Sequence, residues 1–415
     1  MRSTNPVVII GASHGGVNCA FALRREGWEG EIILIDADPN LPYHRPPLSK
    51  EFLVSDGNLE KHFLKSSESY TNENISLVLG KKVVSIEREK GLVKLEDNSE
   101  ILYSHLVIAT GARALMPGIQ GIGDTQNLFV LRNAEDAIQI RAGLDGSKQK
   151  VLIIGGGFIG LEIAASIRKL GAEVCVLERE ERILSRVTSE QMSEFFTSLH
   201  EDNGVRIYNR KNVESIEFDG SRNQVKCSDQ SQFEADVIVV GVGVHVNLEL
   251  AREAGLEINN GIVVDSHTRT NDPNIYAIGD CTFHHNPHYD RHVRLESVQN
   301  AVDQGKIAAA GICGREADYN SIPWFWSDQY EVKLQMVGLA EGHTEVLKRS
   351  EEDENKFSLW YFREDELLAV DAVNNPKAYV LGTKFIKEGQ KVNKTVLADS
   401  SQPLKPLNLI LEKAD

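Results

Sequence analysis

Short runs of β-branched residues recur along the chain, and the first of them set up a repeat. Val7-Val8-Ile9-Ile10 ends at Gly11, and behind it Cys19, Ala20 and Leu23 fall into a helical pattern before a second apolar run, Ile32 to Ile35. Strand, helix, strand in that order is a βαβ unit. The same order returns as Val151 to Ile154, then Gly155, Gly156 and Gly157, a helical pattern from about Phe158 to Leu170, and the run Val174 to Leu177. The chain therefore carries the unit twice.

Each unit is followed by alternating segments separated by turn residues, Lys82 to Tyr103 and Val205 to Ala235, both expected as small antiparallel meanders. Each meander feeds a buried strand ending in small residues, Leu106-Val107-Ile108-Ala109-Thr110-Gly111 and Val237-Ile238-Val239-Val240-Gly241-Val242-Gly243. From about Ile322 the texture changes to strand-like runs at Val332 to Val337, Phe357 to Phe362 and Leu367 to Ala372, then a helix around Pro376 to Lys387. A third, α+β domain is expected there.

With 415 residues, 41% of them hydrophobic, the chain can fill two or three cores. Its longest strongly apolar stretch, Val237 to Val246, is interrupted by Gly241, Gly243 and His245 and is far too short to span a bilayer. The start, Met1 to Pro6, runs directly into the first strand without the features of an export signal. The five cysteines are odd in number and scattered, with no C-x-x-C pair, so neither a disulfide framework nor a zinc site is indicated, and a reducing cytoplasm is the expected location. A formal net charge of −16 repels nucleic acid and anionic membranes at long range, so neither is an expected partner. An acidic protein partner would need a local basic patch.

The chemistry sits at the two strand-to-helix turns. Gly155-x-Gly157-x-x-Gly160, which includes Phe158 and Ile159, has glycines where a turn, pyrophosphate approach and tight helix packing require them, and the helix N-terminus would face the phosphates. Glu178 follows 23 residues after Gly155, where an acid accepts the hydroxyls of an adenine ribose and repels a 2′-phosphate. That favours NADH over NADPH. Arg179 and Arg182 follow, a residue type that accommodates a 2′-phosphate; the alternative is two solvated surface arginines. The first turn, Gly11-Ala12-Ser13-His14-Gly15-Gly16, has serine at the second glycine position, and Asp36, 25 residues after Gly11, takes the ribose-binding position. Two dinucleotide folds imply two dinucleotides, for which a held flavin and an exchanging nicotinamide are the natural pair.

The segment Leu41-Pro42-Tyr43-His44-Arg45-Pro46-Pro47-Leu48-Ser49-Lys50 resembles the stretch beside the isoalloxazine in FAD-dependent ferredoxin reductases of Rieske dioxygenase and bacterial P450 systems. Further matches are Ala109-Thr110-Gly111, Leu131 to Asp136, Ala277-Ile278-Gly279-Asp280-Cys281, Glu296 to Ala301 and Pro323 to Tyr330, so the resemblance spans nearly the whole chain. It implies an α/β fold with two Rossmann-like domains, the NADH domain (116–245) inserted in the FAD domain (1–115 and 246–321), and a C-terminal α+β domain (322–415).

By the same resemblance Asp36, Lys50, Val83, Arg132, Asp280 and Val298 fall on FAD-contacting positions, with Asp280 at the ribityl chain. The flanking Gly11, Ser13, His14, Gly16, Arg45, Pro46, Ala109, Thr110, Gly111, Gly279, Glu296, Ser297 and Trp326 join them as cofactor contacts. Gly155, Gly157, Phe158, Ile159, Gly160, Glu178 and Gly243 belong to the nicotinamide side, although Gly243 to Asn247 lacks the proline the family often carries before the asparagine. Lys50 and Glu162 are expected near flavin N5 and the nicotinamide as an ion pair; otherwise they are a surface lysine and a helix-surface carboxylate. The helix opened at Ser297 and Val298 would turn its free N–H groups to the flavin N1/C2 edge. Trp324 and Trp326 either shield the flavin, line a partner surface or pack a core. His284, His285, His288 and His292 lie in an expected loop without regular ligand geometry, so no metal is expected.

The resemblance thus implies NADH-dependent reduction of FAD and single-electron delivery to a [2Fe–2S] ferredoxin serving an oxygenase, in aromatic hydrocarbon catabolism for example. Rubredoxin reduction, NADH oxidation, monodehydroascorbate-type reduction and an apoptosis-inducing-factor-like redox sensor stay open. A substrate-dithiol mechanism is disfavoured, because no redox cysteine lies between Tyr43 and Lys50.

Overall fold

The computed structural model describes residues 5–55, 57–144 and 148–411; of the Met1 to Pro6 segment considered above, residues 1–4 lie outside them. The chain divides into two compact units, one of Met1–His44, Glu60–Arg113 and His245–Phe325, the other of Arg45–Leu59, Ala114–Val244 and Trp326–Asp415.

The first unit is organised by a five-stranded parallel sheet. Its strands run in the order Ile275–Ala277, His105–Ile108, Val7–Ile10, Ile32–Asp36, Ile75–Leu79. Val7–Ile10 is central, with Val8 opposite Ile33 on one side and Leu106 on the other. Successive residues of a strand point to opposite faces, and all four of these are buried, which is why the run is apolar throughout and not alternating. Val7 and Ile9 pack under the helices His14–Arg25 and Val298–Ile312 with Val17, Leu23, Ala308 and Ile312. Val8 and Ile10 pack against the meander residues Val83, Ile86, Val93 and Leu95 on the other face. That meander is antiparallel, with Ile86 opposite Val93 and Val93 opposite Ile101.

The second unit repeats the design in the strand order Arg206–Tyr208, Glu173–Leu177, Lys150–Ile154, Val237–Val240, Leu128–Val130. Here the extent expected for the second meander is corrected. Arg206–Tyr208 extends the parallel sheet, Ile207 lying opposite Val176, and the antiparallel strands begin only at Val213. Three residues carry no signal of strand direction, so the tertiary neighbour decides it.

The C-terminal part of this unit is a five-stranded sheet in the order Trp324–Gln329, Val332–Gly338, Glu366–Val373, Phe357–Arg363, Glu345–Ser350. Helix Pro376–Glu388 buries Ala378, Leu381 and Phe385; it is capped by the Asn375 side chain, which accepts from Ala378 N–H, and stopped by Gly389. Two of these strands, Trp324–Gln329 and Glu345–Ser350, go beyond the sequence expectation, because their polar residues hide the alternation. The histidine-rich segment is also corrected: it is no loop but a hairpin of Thr282–Asn286 and Arg291–Val293, with His285 opposite His292. Among the described residues no helix is long and apolar enough to cross a membrane.

Candidate functional site

The two glycine turns are built alike. Gly11 and Gly155 have φ of 108° and 109°, and their N–H groups donate to Ile35 and Leu177 carbonyls at 2.8 Å in both cases, tying each turn to the strand beside it. Only glycine adopts that conformation without strain. A Cβ on Gly16 or Gly160 would lie 1.9 or 2.1 Å from the Gly11 or Gly155 carbonyl oxygen, so each helix starts closer to its strand than any side chain permits. The middle position differs. At Gly157 φ is −80° and a Cβ would meet no chain atom within 4 Å, so the chain itself has no need of glycine there. Ser13 occupies the equivalent place in extended backbone, without strain, and precedes the first helical residue, His14.

The acids that follow brace these turns. Asp36 Oδ2 accepts from Ala12 N–H at 2.5 Å, and Glu178 Oε2 accepts from Gly156 N–H at 2.7 Å. The second oxygens accept from Asp38 N–H at 2.9 Å and Glu180 N–H at 2.8 Å. Arg182 does not stand free beside Glu178: its guanidinium donates to the Ser185, Thr188 and Ser189 carbonyls and to Ser193 Oγ, closing the loop after the strand. Arg179 is exposed and pairs with Glu180 at 2.8 Å.

Around the first turn, Thr110 Oγ donates to the Asn247 carbonyl and Asn247 Nδ2 donates back to the Thr110 carbonyl, at 2.9 and 2.8 Å. This reciprocal pair fixes Ala109-Thr110-Gly111. Gly279, at φ 82°, donates to Gln304 Oε1 at 2.7 Å, which sets the half-buried Asp280 after the strand Ile275–Ala277. Ser297 caps the long helix by accepting from Asn300 N–H at 3.1 Å, so Val298 is its first residue, while Glu296 pairs with Arg294. Val83 is a buried strand residue. His14 and His44 hydrogen-bond at 3.3 Å.

The second unit gathers the rest. Arg45 donates to the Arg132 carbonyl at 2.5 Å, ahead of a helix whose capping box is Asn133 and Asp136. Pro46 opens the single turn Pro46–Ser49 that presents Lys50. Lys50 Nζ lies 2.7 Å from Glu162 Oε2 and also donates to the Pro46 carbonyl at 3.2 Å, so neither residue is the plain surface charge of the alternative reading. Glu162 is only 2% exposed, on helix Phe158–Lys169 directly behind the second glycine turn. A buried carboxylate needs several donors, and it has them: Ser49 Oγ at 2.5 Å on Oε2 and Ser327 Oγ at 2.7 Å on Oε1 complete the set. Ser49 and Ser327 escape the sequence reading. Ser327 stands between Trp326 and Asp328 in the sequence, so no local signal marks it as buried.

Phe158 is half-buried and Ile159 is 45% exposed at the helix start, with Gly243 at φ 115° accepting from Leu115 N–H. Trp324 and Trp326 are half-buried on one face of their strand. Of the four histidines, His284 is buried near Gln304 and its imidazolium is pushed down to about 4 by burial, His285 pairs with Asp290 and meets the His292 ring edge-on with centroids 5.5 Å apart, and His288 meets the Asn320 carbonyl. Burial pushes the Cys19 thiol up to about 12 and the Cys281 thiol up to about 11, so neither is a nucleophile.

Residues 5–305 match the family model described as pyridine nucleotide-disulphide oxidoreductase, and residues 324–408 match the reductase C-terminal model. The chain is 40% identical over 414 residues to putidaredoxin reductase of Pseudomonas putida, covering 98% of this chain and 97% of that one. It is 40% identical over 400 residues to rhodocoxin reductase of Rhodococcus erythropolis, covering 96% and 93%. Among solved structures, that of a covalent putidaredoxin reductase–putidaredoxin complex superposes with a TM-score of 0.92 at 39% identity, covering 97% of this chain and 98% of that chain.

Proposed function

The chain belongs to the pyridine nucleotide-disulphide oxidoreductase family, and from that premise we propose that it is an NADH-dependent, FAD-containing ferredoxin reductase. Bound FAD supplies the conversion from two-electron to one-electron chemistry, accepting hydride equivalents and releasing electrons singly. The observation that carries the reading is the duplicated glycine turn, each copy braced by an acid at the end of the next strand. One turn serves each dinucleotide.

On this reading residues 1–115 and 246–321 form the FAD domain, 116–245 the NADH domain and 322–415 the C-terminal domain. Gly11, Ser13, His14 and Gly16 border the FAD pyrophosphate, with Ser13 in extended backbone. Asp36 holds the adenine ribose and Asp280 the ribityl chain. Val83, Arg45, Pro46, Arg132, Glu296, Ser297, Trp326 and the Ala109-Thr110-Gly111 and Gly279 turns supply the remaining contacts. The N–H groups at Val298 favour negative charge on the flavin edge through the helix dipole. Gly155, Gly157, Gly160, Phe158, Ile159 and Gly243 cradle NADH, and the open space at Gly157 suits a pyrophosphate. Glu178 selects NADH, and the Arg182 guanidinium is tied to loop carbonyls. Lys50 and Glu162 orient the reacting rings. The acceptor is a [2Fe–2S] ferredoxin of an oxygenase system, and the working location is the cytoplasm.

The test is anaerobic titration of the purified yellow protein. NADH bleaches the flavin absorbance stoichiometrically and NADPH does so only at far higher concentration. A flavin left oxidised by excess NADH overturns the proposal.

A further inference from the structure

We infer that Ser327, Gln329 and His200 are positioning residues for electron input, holding the Glu162 carboxylate against Lys50 through a buried hydrogen-bond chain whose donors all point one way. The inference deepens the assignment of Lys50 and Glu162 above and rests on it.

Ser327 Oγ donates to Glu162 Oε1 at 2.7 Å. Because that hydroxyl proton is committed to the carboxylate, Ser327 Oγ accepts from Gln329 Nε2 at 3.1 Å. The amide orientation is thereby set, and Gln329 Oε1 faces His200 Nε2 at 2.8 Å. An amide oxygen only accepts, so the His200 proton sits on Nε2. Burial lowers the basicity of His200 and keeps it neutral, which leaves Nδ1 as an acceptor toward Tyr330 OH at 3.5 Å. Every donor is thus aimed along the chain at Glu162.

The local sequence explains the placement. On the strand Trp324–Gln329, Ser327 and Gln329 are two residues apart and share one face, and their exposures are 0% and 1%. His200, 0% exposed, comes from helix Glu190–Asp202. Three fully buried polar side chains are costly unless each is satisfied, and an apolar set would serve packing alone as well. Aligned hydrogen bonds polarise one another, which strengthens the bond that reaches the carboxylate. The terminal torsion of glutamate is broad, so without a donor on Oε1 the carboxylate is free to swing. With Ser327 in place on one oxygen and Ser49 and Lys50 on the other, it is fixed.

The experiment is anaerobic rapid mixing of the FAD-loaded protein with a series of NADH concentrations, which separates the limiting rate of flavin reduction from the apparent Kd. Ser327→Ala is expected to lower the limiting rate about tenfold, the size of one lost hydrogen bond to a charged group. The apparent Kd for NADH and the flavin-to-protein ratio are expected to stay close to the parent's. Ser327→Thr keeps the hydroxyl and restores the rate. Gln329→Met breaks the next link and slows reduction in the same direction, which keeps the test decisive if Ser327→Ala loses flavin. Glu162→Gln separates the two levels of the argument. If it slows reduction while Ser327→Ala and Gln329→Met reduce at the parent rate, the positioning chain is refuted and the assignment of Glu162 stands. If Glu162→Gln itself reduces at the parent rate, both fall.

Discussion

Glu178 has two tasks at residue scale. Its carboxylate braces the glycine turn through Gly156 N–H, and on the proposed reading it also receives the ribose hydroxyls. Glu178→Ala is expected to raise the apparent Kd for NADH in flavin reduction by about tenfold or more, from the hydrogen bonds lost. An unchanged concentration dependence would remove Glu178 from the site. Arg182→Ala, by contrast, is expected to leave the ratio of NADH to NADPH efficiency unaltered, because its donors are spent on loop carbonyls. Asp371 offers a pH prediction. It is fully buried, accepts from Tyr361 OH at 2.5 Å and Thr188 Oγ at 2.7 Å, and burial raises its carboxyl to about 6. A folded value above the unfolded one means the protonated form is favoured by folding. That contribution is full below the ordinary carboxylate range and is lost as pH rises through about 6, a change on the order of 3 kcal/mol. Asp371→Asn cannot ionise, so its melting temperature relative to the parent should move upward between pH 4.5 and 7.5. A difference constant over that range would contradict the buried titration.

Among the elements, those that build the glycine turns were legible because their signal is local. A run such as Val7–Ile10, buried on both faces, has no option but to be apolar throughout, and the glycines behind it are forced by φ and by close approach. What escaped is decided at a distance. Arg206–Tyr208 takes its direction from Glu173–Leu177, and Thr282–Asn286 is a strand despite two histidines and an asparagine. Ser327 and Gln329 look like polar surface residues until their strand is known to be buried on that face. Lys50 and Glu162 were named from a resemblance, and the segment between them gives no hint of their pairing at 2.7 Å. A prediction belongs to the second glycine turn. Gly160→Ala would place a Cβ 2.1 Å from the Gly155 carbonyl oxygen and must push the helix off the strand. The variant should purify with its flavin but reduce slowly with NADH, measured as absorbance bleaching. Normal reduction would show that close approach there is dispensable.

The whole molecule repeats one solution, a parallel sheet with a glycine turn and a bracing acid, in each of two compact units. Duplication of this kind makes sense for a protein that must hold one dinucleotide and exchange another. Asp280→Ala is expected to lower the flavin-to-protein absorbance ratio after gel filtration, with no change in the coenzyme preference of the flavin that remains. Acceptor choice is a property of surface rather than of these motifs, and so the account stands or falls on electron delivery. The most direct measurement is anaerobic sequential mixing, first with NADH and then with a panel of a [2Fe–2S] ferredoxin, rubredoxin, a dithiol acceptor and oxygen. Rapid bleaching followed by fast reoxidation with the ferredoxin alone is the predicted result, and a reduced flavin that ignores the ferredoxin but is consumed by oxygen or a small acceptor would contradict it.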